Sequence, residues 1–482
     1  MNYKVLGYVL GHLIRVEGIL MGLPLLVSFI YKEESIYKLS YFIPMVTMIL
    51  VGSILIKLCK KFDRYYNKEG VIIAALGWII VSLFGALPFR ISGDISNFID
   101  AFFESVSGFT TTGSSIIVNL DIISKSNLFW RSFSHLIGGM GILVFALAVM
   151  PKGNGQSSLI MKAEVPGPVF GKILAKARDS ARVLYIIYIA MTIVLVTFLL
   201  FGGIGLFDSL LLAFGTAGTG GFGISNAGIA AYNSTYIEVV LSIGMIVFGV
   251  NFNVYYLILL GHFKDALKNE ELRWYLGIIT GAILLILLNI WKYYDTIFGA
   301  LKDILFTVSS IITTTGYAIL NYDKWPLFSK FIILMLMFVG GCAGSTAGGL
   351  KISRVLTYIK SGISQFKKAT NPNRVKVICV EGKSLDRDIK ENILNYLAIY
   401  IIMFVIILGA LSITMEDFVT AFSSAATSFN NVGPGLGEVG PVSNFSSVTY
   451  LNKIILSISM LAGRLELIPI LILFSPKTWK KI

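Results

Sequence analysis

Two short segments of the chain combine residue types that could bind a monovalent cation through the backbone. Residues 108–115 read GFTTTGSS and residues 311–318 read IITTTGYA, each directly after an apolar run. Threonine and glycine are poor helix formers, so a helix that precedes either segment should end there. Carbonyl oxygens that a helix no longer uses can replace the hydration shell of a cation. The pattern therefore predicts an ion-binding backbone.

Four segments of this kind form an internal repeat, and each aligns on one glycine. They are Asp100–Gly113, Asp208–Gly221, Asp303–Gly316 and Thr420–Gly433. The first three begin with Asp at the same offset, whereas the fourth begins with Thr and has Glu416 and Asp417 just upstream. An initial Asp predicts a capped helix N-terminus. Each unit is then a short helix and a non-helical loop, which at membrane depth must line a cavity or lie within protein.

The composition predicts that these units lie in a membrane protein. The 482 residues are 55% hydrophobic and only 14% charged, with a mean hydropathy of +0.79, whereas soluble proteins average about 25% charged residues. A bilayer needs roughly 20 apolar residues per helix. Runs of that kind fall at 7–31, 39–59, 71–89, 128–150, 183–203, 236–260, 274–291, 327–350, 393–413 and 450–474. The first is interpreted as a retained span and not a signal peptide, because no small-residue cleavage site follows it.

The net charge of +13 is distributed as expected for membrane topology. Cytoplasmic loops are rich in Lys and Arg, which places both termini inside and argues against nucleic acid as the partner. The Lys and Arg residues of the predicted inner loops lie within residues 57–68, 152–182, 264–273, 351–390 and 477–481. Segment 351–390 is interpreted either as a solvated, topology-fixing loop or as a docking surface for a cytosolic partner.

These observations predict an all-α polytopic membrane protein with about ten transmembrane helices and four re-entrant pore helices. Two leading spans precede four span–pore helix–filter–span repeats around a central pore. The predicted units are residues 1–69 for the leading spans, 70–151, 152–262, 263–390 with an intramembrane loop and cytoplasmic segment, and 391–482.

Two features inside predicted spans are candidates for a gate. Residues 335–354, MLMFVGGCAGSTAGGLKISR, interrupt an apolar span with glycines. They fit either small-xxx-small helix packing or a broken helix whose loop lines a pore. Arg464 lies deep in the last span, where a charge normally faces a bundle interior or an aqueous path. It could act as a positive barrier or make a structural contact, although Glu466, two residues on, does not share its helix face.

Other residue types argue against an enzyme or a metalloprotein. Cys59, Cys342 and Cys379 show no disulfide or metal spacing. His135, one turn after Arg131, and His262 are interpreted as structural. The glycine-rich GGCAGSTAGG lacks a phosphate-binding Lys, and no nucleophile–base pair is apparent, so neither catalysis nor an organic cofactor is predicted.

The motifs together resemble the TrkH/TrkG branch of the Trk/Ktr/HKT superfamily of potassium transporters over essentially the whole length. The resemblance is carried by SVSGFTTTGSS, GTAGTGGF, SSIITTTGYA and SFNNVGPGLG, by GGMGILVFALAVMPKGN and by LAGRLELIPI. It implies K⁺ uptake by a homodimer in the bacterial inner membrane, regulated by a cytosolic TrkA-like subunit that binds nucleotide. With one key glycine per repeat, selectivity should be looser than in tetrameric K⁺ channels, so that Rb⁺ and some Na⁺ pass.

The resemblance also implies which residues act. K⁺, as the substrate, would meet backbone carbonyls of Thr111, Thr112, Gly113, Thr219, Gly220, Gly221, Thr314, Thr315, Gly316, Asn431, Val432 and Gly433. The gate would comprise Arg464 and the intramembrane loop residues Gly340, Gly341, Gly344, Ser345, Thr346, Gly348 and Gly349.

Three alternatives stay open at this level. A Ktr-type, Na⁺-dependent K⁺ transporter shares the repeat, although the two leading spans and the Thr-rich first filter favour the Trk type. An inverted-repeat transporter for an organic solute should show two similar halves, and the four parallel copies disfavour it. An intramembrane enzyme is disfavoured because no catalytic constellation is visible.

Overall fold

The computed structural model describes residues 1–59, 67–141, 177–371 and 378–479 and is mostly helical there. The helices are α1 Tyr3–Leu20, α2 Gly22–Ile30, α3 Ser35–Cys59, α4 Asn67–Gly85, α5 Leu87–Ser92, α6 Phe98–Phe109, α7 Lys125–Gly139, α8 Ala177–Phe201, α9 Leu206–Gly218, α10 Thr235–Phe248, α11 Phe252–Leu259, α12 Phe263–Lys268, α13 Glu270–Ile290, α14 Ile297–Ile312, α15 Leu327–Val339, α16 Ile352–Thr370, α17 Arg387–Leu411, α18 Phe418–Asn430, α19 Tyr450–Arg464, α20 Ile468–Leu473 and α21 Pro476–Trp479. The described part also has one antiparallel hairpin, β1 Cys379–Val380 and β2 Lys383–Ser384.

The helices confirm a multi-pass membrane protein. Six of the described helical stretches are long and apolar enough to span a bilayer, and α10 with α11 forms a further pair that bends by 90°. Their outer faces expose large apolar side chains, such as Ile193 on α8 and Ile402 on α17, as expected next to lipid. The other three predicted spans start as α7, α15 and α19, which have 13 to 15 residues each.

Several sequence predictions fall on residues that the structure does not describe. They include the second half of the predicted span 128–150 and the motif ILVFALAVMPKGN, residues 142–154. They also include inner-loop cations, namely Lys60, Lys61, Arg64, Lys152, Lys162, Lys172, Lys176, Arg374, Lys376, Lys480 and Lys481. These predictions lie outside the described residues.

A fourfold packing pattern organises the helices that follow α3. Each of the short helices α6, α9, α14 and α18 packs between a long helix that precedes it and a helix that follows it in its own repeat. It also packs against one helix of another repeat: α9 contacts α7, α14 contacts α10, α18 contacts α15, and α6 contacts α19. The last contact joins the fourth repeat to the first, so the four repeats close into a ring.

The helix that follows each short helix stops or bends after 13 to 15 residues. Helix α7 ends at Gly139, α10 turns sharply after Phe248, α15 ends at Val339, and α19 ends at Arg464. Glu466 and Leu467, which follow α19, both have positive φ angles of 56° and 69°, a conformation that is costly for residues with a Cβ. The break in each repeat therefore lies at a similar position along its second helix.

The prediction that aspartates cap the short helices is wrong for three of them. Asn97 caps α6 and Thr296 caps α14, while Gly205 precedes α9 without a side-chain cap. Only α18 has an acidic cap, Asp417, which accepts from the N–H groups of residues 419 and 420. Each of these aspartates lies about one to two turns after the N-terminus of its helix, because the helices start before the aligned segments.

The aligned aspartates instead join elements of the ring. Asp100 pairs with Lys453 of α19 at 2.7 Å, and Asp208 accepts from the Tyr232 hydroxyl at 2.9 Å. Asp303 lies 3.4 Å from Lys302, which in turn contacts Glu238 of α10 at 2.6 Å. The equal offsets therefore reflect equivalent positions in the ring. Asp100 reaches the adjacent repeat directly, and Asp303 is linked to it through Lys302.

The leading helices α1 and α3 are held together by glycine contacts. A Cβ on Gly52 of α3 would lie 2.6 Å from the carbonyl oxygen of Gly11 and 2.8 Å from the Cβ of Arg15 on α1. Small residues of this kind let two membrane helices approach closely, where van der Waals packing drives association.

We expect Gly52→Val to separate α1 from α3 and to lower the thermal unfolding midpoint of the purified protein in detergent. Overpacking of a tight contact typically costs about 1–3 kcal/mol. Gly409→Val on α17 is the matched control, because a Cβ there meets nothing within 4 Å. Equal midpoints for the two variants would contradict the contact.

Candidate functional site

The four short helices end in the same backbone geometry, at the segments that the sequence analysis selected. Residues Thr111, Thr219, Thr314 and Asn431 have φ angles of 54° or 55°. The residue that follows each of them donates its backbone N–H to the helix carbonyl five residues earlier. These bonds run from Thr112 to Ser107, Gly220 to Gly215, Thr315 to Ser310 and Val432 to Thr427, all at 2.8–2.9 Å. These are Schellman helix ends, which normally use glycine or asparagine at the left-handed position.

Three of these left-handed residues are threonines, which is unusual. A β-branched residue with φ > 0 is a genuine outlier, and such strain persists only where the surroundings fix it. The repetition at Thr111, Thr219 and Thr314 shows that the conformation is imposed by the ring and not by one local sequence.

The four aligned glycines, Gly113, Gly221, Gly316 and Gly433, close the ring at the level of the backbone. They all have positive φ, between 68° and 105°. A Cβ on Gly113 would lie 2.0 Å from the oxygen of Gly220, one on Gly221 would lie 1.9 Å from that of Thr315, and one on Gly316 would lie 2.2 Å from that of Val432. The fourth contact returns to the first repeat, since a Cβ on Gly433 would lie 2.7 Å from the oxygen of Thr112.

Glycine is thus required at each of the four positions for two reasons. Its φ angle is positive, and a carbonyl oxygen of the neighbouring repeat leaves no room for a Cβ. The contacts run in chain order and end where they began, so the four segments surround one axis. All twelve residues that the sequence analysis assigned to the ion path lie in these segments. Their seven non-glycine members are buried, and so are Gly220 and Gly433, whereas Gly113, Gly221 and Gly316 are half-buried.

The side chains that support the segments differ among the repeats. In the first and third, hydroxyl groups pair at 2.8 Å, Thr110 with Thr112 and Thr313 with Thr315. In the fourth, the Asn431 amide donates to the Thr112 hydroxyl at 2.9 Å and to the Met460 carbonyl at 3.0 Å. The fourth segment, which differs most in sequence, therefore keeps the same backbone through a different set of bonds.

A cavity of about 420 Å³ opens on one side of the ring. All four aligned glycines line it, together with residues that directly follow them, such as Ser114, Phe222, Tyr317 and Pro434. A small hydrated ion could reach the ring from this side. The described residues contain no group of three or more His, Cys, Asp or Glu side chains that could hold a metal ion.

A buried ion pair fixes the backbone beside this cavity. Arg131 of α7 contacts Glu104 of α6 at 2.7 Å, and both side chains are at most 1% exposed. Arg131 also donates to the Gly223 carbonyl and the Ser115 hydroxyl, each at 3.1 Å. Glu104 accepts from the Ile116 N–H at 2.9 Å. Because the charges are paired and both side chains make further hydrogen bonds, the pair fixes the segments after the first and second glycines.

Residues 340–351 form a non-helical loop between α15 and α16, so the predicted break in the helix is confirmed and the helix-packing alternative is wrong. The loop folds back on itself, since a Cβ on Gly340 would lie 2.2 Å from the oxygen of Gly348. Gly340, Gly344 and Gly349 have positive φ.

The loop touches the ends of the third and fourth short helices. The Gly348 N–H donates to the Thr314 hydroxyl at 2.6 Å, and the Gly349 N–H donates to the Asn430 carbonyl at 3.2 Å. The loop therefore lies on the ring, on the side where the helices end.

Two other parts of the chain hold the start of the loop. The Cys342 N–H donates to the Gly249 carbonyl at 3.0 Å, at the bend between α10 and α11. The Glu271 carboxylate of α13 accepts from the N–H groups of Ala343 and Ser353, at 2.7 and 3.0 Å. One acidic side chain thus fixes both the start of the loop and the start of α16.

Arg464 lies at the end of α19, is 7% exposed, and connects three repeats. It donates to the Thr346 carbonyl of the loop at 2.9 Å and to the carbonyls of Gly138 and Gly139 at the end of α7. Glu466, two residues on, contacts Arg354 of α16 at 2.6 Å. The guanidinium therefore lies among carbonyls of helix ends and of the loop.

Sequence reasoning missed two contributors to this site. Glu271 was not singled out; it lies just before the predicted span 274–291, in the first turn of α13. His135 was interpreted as structural, yet its ring contacts the second segment. The signal for His135 was the unusual glycine content of GTAGTGG compared with the threonines of the other segments.

Comparison with known proteins agrees with this geometry. Residues 39–481 match the family model of TrkH, described as a cation transport protein. The chain is 33% identical to the Trk system potassium uptake protein TrkH of Salmonella typhimurium, over all of both chains. It is 30% identical to TrkG of Escherichia coli, covering 99% of each. The crystal structure of the potassium transporter TrkH from Vibrio parahaemolyticus is similar over all of both chains, with a TM-score of 0.90 and 30% identity.

We expect Thr314→Val to loosen the loop, because the half-buried Gly348 N–H then loses its acceptor. Loss of an intramolecular hydrogen bond typically costs about 0.5–1.5 kcal/mol. The readout is the rate at which a thiol reagent modifies Cys342, which is 1% exposed in the loop, measured by peptide mass spectrometry. Thr111→Val is the control, since Thr111 has the same φ of 55° but is not bonded to the loop in the described structure. Equal Cys342 rates in the two variants would contradict the role of the bond.

Proposed function

The chain belongs to the TrkH family of cation transport proteins, and we propose that it takes up K⁺ through the pore at the centre of its four-glycine ring. The observation that carries the proposal is the closure of the ring in chain order, with a carbonyl of each repeat against the glycine of its neighbour. A ring of backbone oxygens suits a monovalent cation that sheds its water. The named relatives are potassium uptake proteins, which supports K⁺ as the substrate.

In this proposal, the filter consists of the three residues that end each short helix segment. Their carbonyls would coordinate K⁺, and the partially negative C-terminal ends of α6, α9, α14 and α18 would favour a cation. The strained threonines Thr111, Thr219 and Thr314 are consistent with a site where backbone conformation is the functional property.

The gate, in this proposal, is the loop at residues 340–351 together with Arg464. Two loop N–H groups bond to the ends of α14 and α18, so an ion leaving the ring would meet the loop next. Arg464 adds a positive charge at the same level and is bonded to the loop. Displacement of the loop would then open the path.

We further propose that a cytosolic TrkA-like subunit that binds nucleotide docks on segment 351–390. The hairpin in this segment is bonded to the transporter body, because the Glu381 carboxylate accepts from the N–H groups of Glu270 and Glu271 at 3.2 and 3.1 Å. Glu271 in turn holds the loop. A partner that moved the hairpin would therefore act on the loop through two consecutive contacts.

The remaining parts of the assignment complete the proposal. The protein would act as a homodimer in the lipid bilayer of the bacterial inner membrane, with both termini cytoplasmic and no organic cofactor. Residues 1–69 would form the leading spans, and residues 70–151, 152–262, 263–390 and 391–482 the four pore repeats. The full-length similarity to Trk proteins supports the Trk type over a Ktr-type, Na⁺-dependent transporter.

The direct test is growth of a K⁺-uptake-deficient bacterium at limiting K⁺, together with Rb⁺ uptake into the same cells. The wild-type chain should restore both. Gly221→Leu, whose side chain would meet the Thr315 oxygen, should restore neither at equal membrane expression. Failure of the wild-type chain to support growth or Rb⁺ uptake would refute the potassium proposal.

Substitution of a ring glycine should weaken discrimination between K⁺ and Na⁺. Gly113→Ser and Gly316→Ser each place a Cβ against a neighbouring carbonyl and should displace an ion ligand, as Na⁺ inhibition of Rb⁺ uptake would reveal. Gly93→Ser is the control, because Gly93 has φ 86° but open space around it. Unchanged selectivity in both ring variants would speak against the filter assignment.

Removal of the Arg464 charge should increase flux. Arg464→Ala deletes the bonds that hold the loop to the ends of α7 and α19 and removes the positive barrier. Rb⁺ uptake per expressed molecule should rise about tenfold or more, because a charged hydrogen bond is worth about 1.5–3 kcal/mol. Arg387→Ala, at a side chain that is 88% exposed, is the control. Unchanged or lower flux in Arg464→Ala would exclude the barrier.

A further inference from the structure

We propose that His135 of α7 is a selectivity-determining positioning residue that holds the second filter segment in place. The proposal rests on the function proposed above, because it assigns a role within the same ring. His135 takes the place of the threonine side chains that support the first and third segments. It acts through contact with Gly218 and Gly220 and not as an ion ligand.

The second segment lacks the support that its equivalents have. In the first and third segments, the residues one before and one after the left-handed threonine pair their hydroxyls at 2.8 Å. The equivalent residues of the second segment are Gly218 and Gly220, so no side chain of this segment can make that contact. Yet Thr219 has the same φ angle, 54°, as its counterparts.

The His135 ring occupies the space beside Gly220. A Cβ on Gly220 would lie 2.4–2.5 Å from Cγ, Cδ2 and Nδ1 of His135. Gly220 does not have a positive φ, so the histidine ring is the contact that requires glycine there. Gly218 is different, because its Cβ would lie 2.2 Å from the backbone oxygen of His135. Side chain and backbone of one residue therefore fix both glycines.

The residue after the second ring glycine is held by the same helix face. The His135 and Phe222 rings stack with centroids 4.3 Å apart and an interplanar angle of 25°. One turn earlier on α7, the Arg131 guanidinium lies 4.2 Å from the centre of the Phe222 ring. Arg131 is itself fixed by Glu104 at 2.7 Å. The second segment is thus held before and after Gly221 by α7, the helix of the first repeat.

The burial of His135 argues that its position serves the filter. The side chain is fully buried, and neither Nδ1 nor Nε2 has a hydrogen-bond partner. Unsatisfied buried polar atoms reduce stability and require an explanation. The backbone geometry that the second filter needs is such an explanation, since the imidazole contacts Gly220 and stacks on Phe222, on either side of Gly221.

The test is a double-mutant cycle with Gly220→Ala and His135→Ala, read by Rb⁺ uptake and its inhibition by Na⁺. Contacting residues show strong coupling in such cycles. Gly220→Ala alone should lower Rb⁺ uptake about tenfold, because the new methyl group displaces the ring, and the same change in His135→Ala should cost about threefold or less. His135→Ala alone should weaken Rb⁺ preference over Na⁺ while uptake continues.

Two matched controls separate the ring contact from general crowding. Gly221→Ala would meet the backbone oxygen of Thr315 at 1.9 Å, and Gly218→Ala would meet the backbone oxygen of His135. Neither obstacle is the His135 side chain, so His135→Ala should rescue neither variant. Thermal unfolding midpoints in detergent, which need no transport, should show the same coupling between residues 135 and 220. If His135→Ala does not fold, His135→Val replaces it in the cycle.

Equal costs of Gly220→Ala in the two backgrounds, in uptake or in unfolding midpoint, would overturn the proposal. So would an unaltered Rb⁺/Na⁺ preference in folded His135→Ala. A wild-type chain that carries no Rb⁺ would instead refute the potassium function, and the unfolding cycle would still decide whether the ring contact exists.

Discussion

The structure depends on one constraint, the close approach of four backbone segments around an axis. At each junction, a carbonyl oxygen of one repeat occupies the space that a Cβ on the aligned glycine of the neighbouring repeat would need. This distance leaves room only for glycine, and it sets how near the ends of α6, α9, α14 and α18 can come to each other. The surrounding helices then follow, because each short helix packs against its own repeat and against one broken helix of another.

Symmetry of the backbone is combined with asymmetry of the side chains. The four helix ends share φ angles within one degree of each other at the left-handed residue. They are supported by hydroxyl pairs in two repeats, by His135 in the second and by the Asn431 amide in the fourth. The loop and Arg464 add contacts to some repeats and not to others. The four repeats are therefore alike in the backbone that an ion would meet, and they differ in the side chains that support this backbone and in their contacts with the loop.

Much of the fold could be predicted because its determinants are local. Apolar length identified the long helices, and the aligned glycines identified the ring, including the fourth segment despite its divergent NNVG. The break at residue 340 was also readable, since glycines interrupt an apolar run. The caps were predicted wrongly because an aligned Asp marks an equivalent position and not a helix start. Asp100 illustrates this, since its partner Lys453 is more than 350 residues away.

The other features that the sequence did not predict depend on contacts between residues far apart in the chain. Nothing near His135 in sequence indicates that its ring lies against Gly220, and nothing near Glu271 indicates that it caps residues 343 and 353. Such pairs arise only once the repeats are arranged in a ring. The Arg131–Glu104 pair is an intermediate case: both residues belong to the first repeat, but the Gly223 carbonyl that Arg131 also binds belongs to the second.

The presence of all four ring segments in a single polypeptide has a genetic consequence. In a channel built from four identical subunits, one codon change alters every quarter of the ring at once, because the symmetry operator copies it. Here a codon change at Gly113 or at residue 220 alters one quarter and leaves three intact. A single substitution can therefore make one repeat differ from the others, as when a histidine of the first repeat supports the segment of the second. In a symmetric tetramer the same substitution would appear at all four positions of the ring.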